Sequence, residues 1–415
     1  MIYMKKILII GAGIGQIFIA QKIKARGYYL ITITQQGDYP VINIADKVYY
    51  ENVFNKEAVL EIARYEQVDG VISDQNDMMM PVVAYVAEHL GLPGNYTKVV
   101  HAYCNKNVFR DNCDKLGVPV PQHCSVNQVE LPQIMKEVAF PWVVKPADAQ
   151  SSVGVAKVNN ESEYFSAVKN AIDVSKTNTA IVEQFFKGQE LVAEGFIYKG
   201  KYYNLGFADR KYFDLDGLFI PSQTLFPSVV PQSILDRIKT FEEKMAAYVQ
   251  PDFAIVHSEY LYNAESGDIC IVESALRGGG VYISSHLIPL YCGIDINEIL
   301  LDCVVGKEID ITQLFSETKH RASGYVCFYL PEGKVKSING FDEVQQMECV
   351  KMMEVSDISV GMDTPLLTHK GQRLGPILLD AKNRGELETL INQIQNLMHV
   401  IVVNKHGESK DICWG

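Results

Sequence analysis

Apolar residues in the amino-terminal part of the chain come in short buried-type runs separated by amphipathic stretches. Lys5 to Ile10 reads as a strand, Ile14 to Arg26 has the apolar spacing of a helix, and Tyr28 to Thr34 is β-branched and strand-like. This is a β-α-β pattern. Asp69 to Ser73 reads as a further strand and Met78 to Leu90 as a further helix, so residues 1–100 are expected to form a small parallel sheet wound with helices. The turn Leu92-Pro93-Gly94-Asn95 closes it.

A second region opens with a helical run from Asn105 to Leu116, stopped by Gly117 and Pro119. Strands are expected at Trp142 to Lys145, Val153 to Lys157 and Ala180 to Glu183, with a helix at Glu161 to Ile172. Beyond Gly188, Glu190 to Tyr198 and Lys201 to Ala208 flank Lys199-Gly200 and read as an antiparallel hairpin. A helix from Ile234 to Tyr248 then leads to the strands Ala254 to Tyr262 and Ile269 to Ser274, joined by a turn. A helical patch near Asn297 to Val305 follows. The last part carries strand-like Gly324 to Leu330 and Gly361 to Leu367 and an amphipathic helix from Gly385 to Met398.

Length and composition narrow the class. A chain of 415 residues exceeds one ordinary core, and three domains are expected. With 47% hydrophobic and 21% charged residues it is globular throughout. The excess of 50 acidic over 38 basic residues, a net charge of -12, argues against a nucleic-acid or membrane partner and requires local positive charge wherever an anion binds. Nine scattered cysteines without a C-x-x-C pair fit reduced thiols in a cytoplasm. Ile7 to Ala20 has the length of a signal-peptide core, but Gly11, Gly13, Gly15 and Gln16 break it and no small-residue cleavage site follows.

Gly11-Ala12-Gly13-Ile14-Gly15 stands between a strand and a helix, where glycines admit a ligand to the backbone and the helix start offers N–H groups to an anion. A dinucleotide site also needs an acid at the end of the second strand, where this chain has Thr34, Gln35 and Gln36. A tight turn that binds nothing, or an anionic group of a substrate, is the competing reading.

The more informative residues lie at strand ends. Lys106 and Arg110 are one helical turn apart and are expected to point at one anion. Lys145 interrupts the apolar strand before Pro146, which calls either for an anion or for a side chain snorkelling to the strand edge. The small-residue loop from Asp148 to Gly154, with Ser151 and Ser152, suits phosphates, with a plain hairpin loop as the alternative. Glu183-Gln184-Phe185-Phe186, then Gly188 and Glu190, can frame an adenine and its ribose. Glu259 and Glu273 sit on strands that a short turn makes adjacent, and two carboxylates so placed repel unless a cation lies between them. Mg²⁺ against a polyphosphate is the economical cation. The alternative pairs one Glu with Arg277 and the other with a nearby Lys.

In this order, Lys106, Lys145, the small-residue loop, Glu183-Gln184-Phe185-Phe186, Glu190, Glu259 and Glu273 with Arg277 resemble the ATP-grasp superfamily, and most closely its biotin carboxylase-like and L-amino-acid ligase branch. The resemblance covers nearly the whole chain. It implies an α/β and α+β protein with a Rossmann-like pre-ATP-grasp domain at 1–100 and a two-subdomain ATP-grasp domain at 101–310, split into about 101–183 and 184–310. A β-rich carboxy-terminal lid domain at 311–415 completes it. It also implies a carboxylate-amine ligase that releases ADP and phosphate, uses ATP with Mg²⁺ or Mn²⁺, and takes small carboxylates and amines such as amino acids, with a homodimer among the expected assemblies.

By the same resemblance, Lys106, Lys145, Ser151, Ser152 and Gly154 bind phosphates. Glu183, Gln184 and Phe186 frame the adenine, with Glu190 on the ribose. Glu259 and Glu273 hold the metal, and Arg277 steadies the acyl phosphate. The chain departs from its relatives in having one glycine in the phosphate loop and Ala275 where many have a metal-binding Asn. Arg210 and Lys211 fall only loosely on a phosphate contact. The same residues leave open a non-catalytic ATP-binding protein and, through the glycine loop, an NAD-dependent dehydrogenase. Tyr282, Ser284, Ser285 and His286 follow Gly278-Gly279-Gly280, whose lack of side chains is expected to keep a substrate pocket open.

Overall fold

The computed structural model describes residues 4–149, 153–215, 218–316, 320–355 and 357–415. Its amino-terminal strands are β1 (Lys6–Ile10), β2 (Tyr29–Thr34), β3 (Lys47–Tyr50) and β4 (Gly70–Ile72), all parallel in the order β3-β2-β1-β4. Helices α1 (Ile14–Ala25), α2 (Lys56–Glu66) and α3 (Met80–Leu90) wind around this sheet. The strand order reverses between β1 and β4, so the loops leaving these strands form the crevice where open α/β sheets bind ligands. The sequence pattern did not pick out β3 or α2. The four residues of β3 are half-buried or exposed, and a polar strand at a sheet edge leaves little periodic signal.

Two short helices, α4 (Thr97–Cys104) and α5 (Lys106–Leu116), lead out of this unit. A small antiparallel sheet follows, with β5 (His123–Val126), β6 (Trp142–Pro146), β7 (Ala156–Val158), the helix α6 (Glu161–Val174) and β8 (Ala180–Gln184) in the order β5-β8-β6-β7. Its own core gathers Trp142, Val144, Tyr164, Val168 and Val182 between sheet and helix.

Gly333–Asn339, Asp363–Thr364, His399–Val403 and Ser409–Lys410 form a separate four-stranded sheet, and the other strands build one large antiparallel sheet. It takes β9 (Gln189–Tyr198), β10 (Lys201–Tyr212), β11 (Pro221–Phe226), and, after α7 (Gln232–Val249), β12 (Phe253–Tyr262), β13 (Ile269–Ala275) and β14 (Ala322–Tyr329). Its order is β13-β12-β9-β10-β11-β14, continued by the strands Leu374–Ala381 and Val350–Met353. Strands from 311–415 thus extend the same sheet that carries the candidate acids. Lys199 and Gly200 join β9 to β10 with φ of 50° and 73°, the left-handed pair that a two-residue hairpin turn needs. The strand expected over Gly361 to Leu367 shrinks to Asp363–Thr364. Pro365 follows and has no N–H to give a ladder.

Two layers of contact fasten the amino-terminal unit to the large sheet. Helix α1 and strand β1 share a core with Val192, Phe196, Ile283 and Leu301, and Arg26 meets Glu298 and Asp302. Asn95 adds a buried polar stitch: its amide donates to the Phe253 carbonyl at 2.8 Å and its oxygen accepts the Asp252 N–H at 2.8 Å. We expect Asn95→Ala, which strands that buried carbonyl, to cost about 1–3 kcal/mol in urea unfolding. An unchanged midpoint and slope would show the stitch to be replaceable by water.

Candidate functional site

Helix α5 starts where Asn105 caps it, accepting the N–H groups of Asn107 and Val108 at 3.1 Å. The cap aims the two cations of its first turns in different directions, contrary to the expectation that both meet one anion. Lys106 Nζ donates to the Ala149 carbonyl at 2.7 Å, at the foot of the small-residue loop. Arg110 turns inward, donating from Nε to Glu183 Oε1 at 2.7 Å and from Nη2 to the Val272 carbonyl at 2.6 Å.

Lys145 lies in the same buried cluster, with its Nζ 2.6 Å from Glu183 Oε2. Its side chain is 8% exposed, so it does not snorkel to the strand edge. Burial pushes the Lys145 ammonium down, and only Glu183 works against that. Burial alone would raise Glu183, but Arg110 and Lys145 overcome it and hold the carboxyl at about 2. One carboxylate therefore bridges two cations and leaves a net positive charge on the cluster, and both its oxygens are engaged by protein rather than turned toward a base.

Gln184 is exposed and Phe185 and Phe186 are half-buried at the end of β8. Lys157 Nζ lies 4.3 Å from the centre of the Phe185 ring. Gly154 has φ of +73°, and Asp148 anchors the stem of the loop by accepting the N–H groups of Lys176 and Thr177. Ser151 and Ser152 lie outside the described residues.

The second cluster sits on the large sheet. The pairing of β12 with β13 sets Glu259 directly opposite Glu273, and His257 opposite Ala275. The pairing of β12 with β9 sets His257 opposite Glu194. Arg210 on β10 donates to Glu190 Oε1 at 2.7 Å and also meets Glu259 Oε1, while the Tyr212 hydroxyl donates to Glu190. Burial and the neighbouring Glu259 raise Glu190. Glu259 is held well below the ordinary carboxylate range, because Arg210 and His257 outweigh its burial. His257 is raised to about 8, because Glu194 outweighs burial. The competing sequence reading, with Arg277 paired to one of the acids, is changed: the direct cation on Glu259 is Arg210, and Arg277 feels Glu273 and Glu259 only through space.

Arg277 instead reaches the amino-terminal unit. Its Nε and Nη2 donate to the two oxygens of Asp77 at 2.7 and 3.0 Å, and its Nη1 donates to the Gly278 carbonyl. Asp74, in the same loop after β4, accepts the Gly278 N–H at 3.1 Å. The outer edge of the guanidinium, not its full fork, is left for a ligand. The expected open pocket at the triple glycine is also corrected. A side chain at Gly278 would strike Ser284 and Asp74, and one at Gly279 would strike Glu194 and His257, whereas Gly280 faces open space. Tyr282 and Ser284 are buried, with the Tyr282 hydroxyl on Glu354.

Sequence reasoning placed Arg210 only loosely, at a phosphate contact rather than beside Glu190 and Glu259, and it missed the roles of His257, Glu194, Asp74 and Asp77. Arg210, His257 and Glu194 interrupt apolar strands as Lys145 does, and the cost of burying an unpaired charge was a signal for them too. The two aspartates lie in a loop with no periodicity to mark them. At the glycine loop, the Gly11 N–H closes on the Ile33 carbonyl at 2.8 Å, and Gln16 turns inward to the Asp74 carbonyl at 2.6 Å. Gln35 and Gln36 at the end of β2 are exposed and supply no acid for a ribose.

No group of three or more metal-binding side chains occurs among the described residues. Two opposed carboxylates nevertheless fit Mg²⁺, which keeps several waters and takes its remaining ligands from substrate phosphates. Both protein contacts to Glu259 fall on Oε1, which leaves Oε2 to a cation.

Comparison with known proteins bears on the fold. Residues 113–202 match the family model described as D-ala D-ala ligase C-terminus. The L-amino acid ligase from Bacillus licheniformis superposes with a TM-score of 0.81 at 21% identity, over 96% of this chain and 99% of that one. The chain has the ATP-grasp fold. Among curated relatives, the alanine–anticapsin ligase of Bacillus subtilis is 23% identical over 320 residues, covering 68% of this chain and 66% of that protein. The multifunctional protein pyr-3 of Neurospora crassa is 23% identical over 327 residues, covering 76% of this chain. The ATP-grasp chain spans 17% of the length of the Neurospora protein.

The Arg110–Glu183–Lys145 triad makes a stability prediction. Glu183→Gln leaves two buried cations without a counter-ion and should cost about 3–5 kcal/mol at neutral pH. Because folding lowers the Glu183 value from 4.5 to about 2, the wild-type advantage is fully present above 4.5 and fades as pH falls toward 2. Urea unfolding of both proteins across that range checks it, and equal stability at pH 7 would mean the cations are neutralised elsewhere.

Proposed function

We propose that the protein is an ATP-dependent carboxylate-amine ligase, and the observation that carries this reading is the opposed pair Glu259 and Glu273 beside Arg277 on an ATP-grasp fold. The division into 1–100, 101–310 and 311–415 belongs to the same proposal. ATP lies between the small sheet and the large one, with Lys106 and Lys145 toward its phosphates, Gln184 and Phe186 beside the adenine and Glu190 toward the ribose. Lys106 exchanges the Ala149 carbonyl for a phosphate oxygen when ATP binds. Glu183 contributes through Lys145, whose ammonium it holds in place.

The reaction is transfer of the terminal phosphoryl group to a substrate carboxylate, which gives ADP and an acyl phosphate. An amine then attacks the acyl carbon, phosphate leaves, and the amine proton passes to solvent or phosphate. Glu259 and Glu273 would hold Mg²⁺, which would supply charge neutralisation at the polyphosphate. Arg277, held by Asp77, presents its remaining N–H groups to charge that grows at the acyl phosphate. The names of the two ligases above support small amino acids as substrates. The charge of -12 weighs against nucleic acid and membrane, no helix among the described residues is long and apolar enough to cross a bilayer, and the nine free thiols favour a cytoplasmic setting.

A screen of carboxylic acids crossed with amines, read by phosphate release and nucleotide chromatography, tests the reading. ADP is the expected product, and accumulation of AMP with pyrophosphate would replace the acyl phosphate by an adenylate. Mg-ATP at about 100 times its dissociation constant should add about 2.7 kcal/mol to the folded state. Arg277→Lys should keep that stabilisation while lowering turnover roughly 10²-fold or more, through loss of a preorganised charge-stabilising group. Loss of the ATP stabilisation with normal turnover at saturating ATP would make Arg277 a nucleotide anchor instead.

A further inference from the structure

The large sheet buries a pair of residues that the proposed chemistry does not use. Glu194 and His257 stand opposite each other on β9 and β12, with side chains 0% and 3% exposed. His257 Nδ1 meets Glu194 Oε1, and His257 Nε2 lies 3.3 Å from Glu259 Oε1. The pair and Glu259 share one face of the sheet, because His257 and Glu259 are two residues apart on one strand. Across from His257 stands Ala275, whose small side chain crowds nothing.

Stability gives a poor account of this arrangement. Glu194 Oε2 is buried and has no hydrogen-bond partner among the described residues, and a half-satisfied buried carboxylate is a worse core than an apolar residue of similar volume. The surrounding chain also accommodates the pair. Residue 279 must lack a side chain, because a Cβ there would lie 2.9 Å from His257 Nδ1 and closer still to Glu194 Oε1. The loop that carries Arg277 therefore packs directly on the pair.

We infer that Glu194 and His257 are positioning residues: Glu194 fixes the imidazole ring, and the ring holds Glu259 Oε1 so that Oε2 faces the metal beside Glu273. Arg210 restrains the same oxygen from the other side. A ligand carboxylate held at one oxygen binds a cation without first losing rotamer freedom, and partners of this kind affect metal affinity although they do not touch the ion. The inference rests on the proposed role of Glu259 as a metal ligand.

The test measures binding of a non-hydrolysable ATP analogue with an imido β–γ bridge, with Mg²⁺ and with EDTA, by calorimetry. The ratio of the two affinities reads the metal contribution alone. Glu259→Gln should lose most of that ratio. His257→Leu should reduce it by roughly 10- to 100-fold while leaving the affinity in EDTA unchanged, a pattern that general damage to the fold does not produce. His257→Gln, whose amide can still donate toward Glu259, should recover most of the loss, and Glu194→Gln should show an intermediate loss. These two milder variants carry the test if His257→Leu does not fold. If the His257 and Glu194 variants keep the full metal ratio while Glu259→Gln loses it, the pair has no positioning role and the metal site stands. If Glu259→Gln also keeps the ratio, the metal assignment itself fails and this inference fails with it.

Discussion

Repulsion between Glu259 and Glu273, set opposite one another by the register of two antiparallel strands, is the constraint to which the site answers. Like charges directly across a strand pair destabilise a sheet, and burial strengthens the effect. The protein offsets it from one side only. Arg210 and His257 both bind Glu259, while among the described residues Glu273 has no direct ion pair and feels Arg277 and Lys370 only through space, so a divalent ion bound with ATP would supply the missing direct neutralisation.

That arrangement depends on neighbours brought from far along the chain. Arg210 divides its charge between Glu259 and Glu190, so the proposed ribose and metal positions share one guanidinium. Arg277 owes its orientation to Asp77, on the loop after β4. The amino-terminal unit is therefore part of the site. It supplies the second side of the crevice and the carboxylate that sets the direction of the arginine.

The two halves of the nucleotide site are organised by the same rule with different results. Around Glu183 every charged group has a direct partner, with two cations on one carboxylate and little exposed surface. Around Glu259 this is not so, because among the described residues Glu273 has no direct ion pair. A closed triad stiffens the small sheet and places Lys145, whereas an open one invites a ligand. This difference explains why Lys145, Arg110 and Glu183 look alike in sequence to the acids of the second cluster yet contribute differently.

The sequence by itself determined most strands and helices, the hairpin at Lys199-Gly200 and the adjacency of Glu259 and Glu273, because these follow from local periodicity and turn chemistry. It also marked Lys145 and Arg277 as charges that need partners. Only the tertiary structure decided which partners those are. Arg110 turned from the expected anion to Glu183, Arg277 found Asp77, and Arg210 took the place beside Glu259. The glycines 278 and 279, legible as small, proved to be filled from outside by Ser284, Glu194 and His257. The physical reason is common to all of them. A buried charge announces in sequence that it must be neutralised, but a counter-ion is chosen by distance in space, and strand register and packing between units bring together residues that lie far apart in the chain.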